Sequence, residues 1–122
     1  MIQGVIGVTI WTEDLDRLVR FYRDILGLAL RGQHGDFVNF AWGEMRLNLG
    51  FHSQVKGPAQ DPYRMMVSFG VSEIHSEYRR LSDLGVRFIR VPEREFWGGW
   101  VATFLDPDGN VLQLLQKPRL PD

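Results

Sequence analysis

The spacing of hydrophobic positions along this chain switches from a period of two to a period near 3.6 and back again, and it does so twice. Val5–Trp11 is rich in Val, Ile, Thr and Trp and predicts a strand. Leu15, Leu18, Val19, Tyr22, Ile25 and Leu26 then recur at helical spacing, with Asp16, Arg17, Arg20, Arg23 and Asp24 mainly on the other face. Thr12 stands where a helix cap is expected, and Gly27 where a left-handed residue would end the helix. Leu28–Arg31, Phe37–Trp42 and Met45–Leu49 predict three further strands, broken at Gly32–Asp36 and at Gly43-Glu44.

Phe51–Pro62 is a linker containing the turn formers Gly57-Pro58 and Asp61-Pro62. The pattern then returns. Tyr63–Val71 predicts a strand and Ser72 a cap, while Ile74, Tyr78, Leu81 and Leu84 form a narrower helical stripe that Gly85 ends. Val86–Val91, Gly99–Leu105 and Val111–Gln116 predict the last three strands. The final two should form a hairpin through Asp106-Pro107-Asp108-Gly109-Asn110, where Pro presets φ and Gly or Asn accepts a positive one. The two copies lie about 60 residues apart, a self-similarity that can define a fold. The expected organisation is α+β, two tandem βαβββ modules in one domain over 1–122: module one about 1–52, linker about 51–62, module two about 63–117. The tail Pro118–Asp122 is expected to fray.

Composition narrows the function classes. With 122 residues there is room for one compact domain or two very small modules sharing a core. Fourteen Lys and Arg against fifteen Asp and Glu give a net charge of -1, so no basic field marks a nucleic-acid binder. The apolar runs fall far below the ~20 residues of a membrane span. Met1-Ile2-Gln3-Gly4 has neither the charge nor the apolar stretch of a signal peptide, and a cytoplasmic home is the default expectation. The absence of cysteine removes disulfides, thiolate metal sites and cysteine nucleophiles together.

Two motifs carry a resemblance: Asp14-Leu15 followed by Phe21-Tyr22-Arg23-Asp24-Ile25-Leu26-Gly27-Leu28, and Phe104-Leu105-Asp106-Pro107-Asp108-Gly109-Asn110. In this order and spacing the chain resembles the vicinal oxygen chelate superfamily, which includes glyoxalase I, extradiol dioxygenases, fosfomycin-resistance transferases and bleomycin-binding proteins. The motifs govern packing and turns, so they point to the fold rather than to a reaction. The resemblance implies curled mixed sheets around a cavity, with the helices on the convex side. It also implies metal ligands on the first and fourth strands of each module, positions held here by Gly7, Asn48, Met66 and Gln113.

That set is poor for a Lewis-acid metal, which prefers imidazole and carboxylate. Glycine offers no side chain, methionine a soft thioether, and the amides only neutral oxygens. No metal and no cofactor are expected. His34 in a hairpin loop, His52 in the linker and His75 on the second helix are expected at the surface.

Strand alternation assigns companions to these positions. Gly7 shares a face with Thr9 and Trp11, Asn48 with Arg46 and Gly50, Met66 with Arg64, Ser68 and Gly70, and Gln113 with Val111 and Leu115; Thr103 and Val101 join from strand seven. Such a surface of amides, hydroxyls, a thioether, an indole and one or two arginines suits a small organic ligand with an aromatic or apolar body and a polar or anionic group. Arg46 is placed either to grip a carboxylate or phosphate or, like Arg64, to reach solvent or a structural ion pair. In Trp97-Gly98-Gly99-Trp100 the indoles, Trp100 above all, form an aromatic wall for the ligand or pack in a core or dimer. Trp42 is expected to be buried. No Asp, Glu, His, Lys or Tyr falls on the inferred inward faces, and Glu44, Glu93 and Glu95 are expected as exposed charge or, for Glu93 and Glu95, at the mouth. A metal-free binder similar to bleomycin-binding resistance proteins is the first expectation, with a homodimer and a small-molecule partner. A lyase, isomerase or dioxygenase-like enzyme with an atypical metal site is the second, and a scaffold or sensor with a vestigial pocket the third.

Overall fold

The computed structural model describes residues 1–119. The predicted fraying of Pro118–Asp122 therefore falls largely outside the described residues. The chain divides into two compact units, Met1–Gly57 and the segment from Pro58 onward.

In the first unit β1 (Gly7–Thr12) leads to α1 (Leu15–Val19), then to β2 (Leu30–Gln33), β3 (Phe37–Trp42) and β4 (Met45–Phe51). The sheet order is β1-β4-β3-β2, parallel between β1 and β4 and antiparallel elsewhere. Asp14 caps α1 by accepting from the Arg17 N–H, and the Thr12 hydroxyl accepts from the Asp14 N–H. The helix then widens into a π-helical segment, Arg20–Ile25, closed by Leu26 N–H donating to Phe21 O at 2.9 Å. Leu18, Tyr22, Val38, Phe40 and Leu49 are the sealed core.

The second unit repeats this plan with β5 (Val67–Gly70), α2 (Ile74–Asp83), β6 (Phe88–Arg94), β7 (Trp100–Leu105) and β8 (Val111–Gln116). Its sheet order is β5-β8-β7-β6, again with one parallel pair, β5 with β8. Ile74, Leu81, Ala102, Phe104 and Leu112 are buried between helix and sheet. The β7–β8 turn forms as the sequence predicts. Asp106 Oδ1 accepts from the N–H groups of Asp108 and Asn110, Oδ2 accepts from Asn110 Nδ2, and Gly109 takes φ 81°. Among the described residues, no helix is long and apolar enough to cross a membrane.

Several expectations about these elements need correction: the helix caps are at Asp14 and Glu73 rather than at Thr12 and Ser72. Strand five does not run from Tyr63. The Asp61-Pro62 turn continues until Arg64 N–H donates back to Asp61 O, with Asp61 itself at φ 53°. Arg64 and Met66 thus precede the strand rather than belong to it. Trp42 is not buried; at the end of the β3–β4 hairpin it remains 48% exposed.

Candidate functional site

Each sheet has one face covered by its helix and an opposite, open face, on which Val101 and Thr103 of β7 are nevertheless buried; alternation sorts the residues between the two. In β1, Thr12 is buried while Gly7, Thr9 and Trp11 are exposed; in β4, Leu47 and Leu49 are buried beside the less covered Arg46 and Asn48. The register aligns Thr9, Asn48, Asn39 and Gly32 as one row across the open face. Asn48 Nδ2 donates to Thr9 Oγ1 at 3.2 Å. Asn39 Oδ1 is buried without a hydrogen-bond partner.

The adjoining row is aromatic. Trp11 pairs with Gly50 and Gly50 with Phe37, and the two rings meet across the glycine at 6.1 Å. A Cβ on Gly50 would stand 2.6 Å from the indole and 3.0 Å from the Phe37 ring, so the bare backbone makes the slot in which the indole lies. His52 meets Trp11 edge-on at 5.4 Å, and its Nδ1 accepts from Gln54 N–H. His34 shares this face, with Nε2 3.7 Å from where a Cβ on Gly32 would stand. Hairpin position alone hid His34 from the sequence reading, although it lies two residues beyond Gly32, on the same side.

The second unit repeats the polar row. Ser68, Gln113, Thr103 and Arg90 align across β5, β8, β7 and β6. Gln113 Nε2 donates to Ser68 Oγ at 3.2 Å, the counterpart of the Asn48–Thr9 bond. Thr103 is buried in the middle of the row. Gly70, Leu115, Val101 and Glu93 form the next row. Arg90 is bound by Glu95 at 2.5 Å and Glu93 at 3.3 Å. Hydrogen bonds that Arg90 donates to Glu95 and then to Glu93 raise its pKa above the ordinary value. The expectation of open faces without acid or imidazole is therefore corrected by Glu93 and His34. Bulges in β6 shift the register that simple alternation assumes, and that is why Arg90 and Glu93 escaped it.

Thr9, Trp11, Asn48 and the Arg46 backbone position lie together on the first open face, and Ser68, Thr103 and Gln113 on the second. Arg46 turns its guanidinium back on its own hairpin, where Nη1 donates to Gly43 O at 2.8 Å. Arg64 is exposed and paired with Asp61 at 2.7 Å. Met66 is exposed just before β5. Trp100 lies on the other face from the Gln113 row. It pairs in register with Gln116, on the helix side, and meets His75 of α2 edge-on at 4.8 Å. The second glycine slot belongs to Trp97, since a Cβ on Gly99 would overlap its ring.

The positions where relatives would place metal ligands hold Gly7, Asn48, Met66 and Gln113, and both amides already donate to neighbouring hydroxyls. Among the described residues, no three His, Cys, Asp or Glu side chains gather closely enough to hold a metal ion. This donor set does not fit a Lewis-acid metal.

Comparison with known proteins agrees with the fold. A "Bleomycin resistance protein" of Klebsiella pneumoniae is 40% identical over 126 residues, covering 89% of each chain. An "Uncharacterized protein YetH" of Bacillus subtilis (strain 168) is 26% identical over 121 residues, covering 93% of this chain and 98% of the relative. The crystal structure of a glyoxalase/dioxygenase from Nostoc punctiforme shares the fold with a TM-score of 0.80 at 17% identity, over 96% of this chain and 92% of that one. Residues 4–114 match the Glyoxalase family, and the chain belongs to the Glyoxalase/Bleomycin resistance protein/Dioxygenase superfamily.

Proposed function

We propose that this protein binds a small organic ligand with an aromatic body on the open faces of its sheets, without a metal, and sequesters it rather than transforming it. The observation that carries this reading is the pair of amide–hydroxyl bonds, Asn48 to Thr9 and Gln113 to Ser68, at the positions a metalloenzyme would use for ligation. Trp11, held in its slot over Gly50, supplies a stacking surface beside the first pair. The named Klebsiella relative makes bleomycin the first compound to try. The two modules are read as one domain and the native protein as a homodimer. Large apolar side chains left exposed, Phe96 and Met65 among them, support the dimer, and size-exclusion chromatography with light scattering tests it.

The decisive experiment combines metal analysis with ligand binding. Elemental analysis before and after incubation with Ni, Zn, Mn and Fe is expected to find no stoichiometric metal. Bleomycin, or an aromatic anion from a screen, is expected to raise the melting temperature of the metal-free protein. Trp11→Ala should weaken the hit about tenfold or more, the scale of a lost aromatic anchor. Tightly held metal whose removal abolishes binding would overturn the reading. An anionic hit that Arg46→Ala leaves unchanged would remove Arg46 from the site.

A catalytic reading, a lyase, isomerase or dioxygenase-like activity, draws support from one observation: two imidazoles, His34 and His52, adjoin the Trp11–Phe37 face. It requires the bound compound to be recovered changed, and His52→Gln to abolish that change.

A further inference from the structure

The second unit carries a half-open pocket of about 370 Å³ that takes no part in the open-face rows. It lies on the helix side, where α2 begins. Its walls include Glu73, His75, Arg94, Trp100, Gln116 and Arg119. The volume falls within the range of small-molecule sites. The Trp100 indole lines it and is met edge-on by the His75 imidazole at 4.8 Å and 70°. Gln116 is fixed as part of the frame, because its buried Oε1 receives the Ile74 N–H at 2.8 Å.

The charges give the cavity a sign. Arg119 is neutralised by Glu73 at 2.7 Å. Arg94 makes no ion pair among the described residues, although it lines the same space. Two guanidinium groups thus oppose one carboxylate. A guanidinium binds a carboxylate through two parallel hydrogen bonds, and an indole beside it accepts a flat ring. The first unit has no matching arrangement: Asp36 and Phe51 hold the register position that Trp100 and Gln116 hold here.

We propose that this cavity is a separate binding site for a small planar organic anion, an aromatic carboxylate, whose carboxylate is held by Arg94 and whose ring lies against Trp100. The site is independent of the open faces and of whatever they bind.

The test follows the indole N–H signals of the four tryptophans in a 1H–15N spectrum of the full chain, assigned by single Trp→Phe variants. Titration with benzoate should move the Trp100 signal saturably. Benzamide, the same shape without the charge, should bind about tenfold more weakly or worse, and Arg94→Gln should weaken benzoate by a similar factor, the loss of a charge-assisted pair. Glu73→Gln, which releases Arg119, should tighten benzoate binding. The proposal is overturned if benzoate moves Trp11 but not Trp100, or if benzamide binds equally well. It also fails if Arg94→Gln leaves the Trp100 titration unchanged, or if Glu73→Gln does not tighten binding.

Discussion

The two units share one topology but begin their helices in different ways. In the first, the cap is local: Asp14 receives the Arg17 N–H, and Thr12 receives the Asp14 N–H. In the second, Glu73 stands at the cap position and makes no side-chain cap. The buried Ile74 N–H is instead satisfied by Gln116, 42 residues away at the end of β8. The hairpins differ as well. The β3–β4 hairpin closes through Gly43-Glu44, with Gly43 at φ 58°, whereas the β7–β8 turn is organised by three hydrogen bonds to the buried Asp106 carboxylate. The start of the second helix depends on a distant strand, whereas the first helix cap and both hairpins are closed by nearby residues. A remote cap also leaves Glu73 free to pair with Arg119, which gives the second unit a charged cavity that the first lacks.

Removing the Asp106 network should break the comparison most visibly. Asp106→Ala leaves two N–H groups and one amide without their acceptor and should cost about 3 kcal/mol, since hydrogen bonds to charged groups contribute most. Gly43→Ala forces a Cβ into the left-handed region and should cost about 1 kcal/mol. Urea unfolding of both variants measures the gap, and equal losses would mean the two turns bear equal weight. The caps come next. Gln116→Ala strands a buried donor and should cost about 2 kcal/mol. Asp14→Ala, at a part-exposed end that water can reach, should cost about 1 kcal/mol. A larger loss at Asp14 would reverse the ranking.

These differences mark what was legible in the sequence. Phe37–Trp42 and Val111–Gln116 appear with the predicted bounds, because sharp turn chemistry borders each of them. The doubled topology followed from the switch of period. The Gln116 cap was invisible, since nothing local links a strand-end glutamine to a helix that starts 42 residues earlier. The aromatic character of Trp100 suggests a ligand wall, although alternation with Thr103 and Val101, which the structure keeps, already puts it on the face opposite theirs. Met66 and Arg64 were drawn into β5 by strand-like neighbours, where a longer turn governs. Of the polar rows, Thr9–Asn48 and Ser68–Gln113 were readable from alternation. Asn39 and Arg90 were not, because their place depends on which strands become neighbours.

Glycine slots offer a smaller test. The nearest atoms that Gly50→Ala meets are in the rings of Trp11 and Phe37, which can give way. Gly99→Ala meets the Trp97 ring and also the Gln116 carbonyl oxygen at 2.7 Å, which as backbone cannot. Overpacking of this kind costs about 1 kcal/mol at the first site and about 3 kcal/mol at the second. Gly50→Ala should nevertheless disturb ligand binding more, because the displaced indole belongs to the open face; binding measured beside thermal unfolding separates the two effects.

The smallest expected change concerns what the two copies share. Thr9→Val and Ser68→Ala each delete a hydroxyl that accepts from an amide on the neighbouring parallel strand. Both bonds are exposed, so water replaces the lost acceptor and each variant should lose no more than about 0.5 kcal/mol. Ligand affinity is the informative readout. A released amide reorients, and a ligand that depends on its fixed direction should bind a few-fold more weakly. If both variants weaken ligand binding, each open face takes part through its own polar row. If only Thr9→Val does, the ligand is held by the first open face, where Trp11 stands, and the Gln113–Ser68 pair is a structural bond that the repeat has kept.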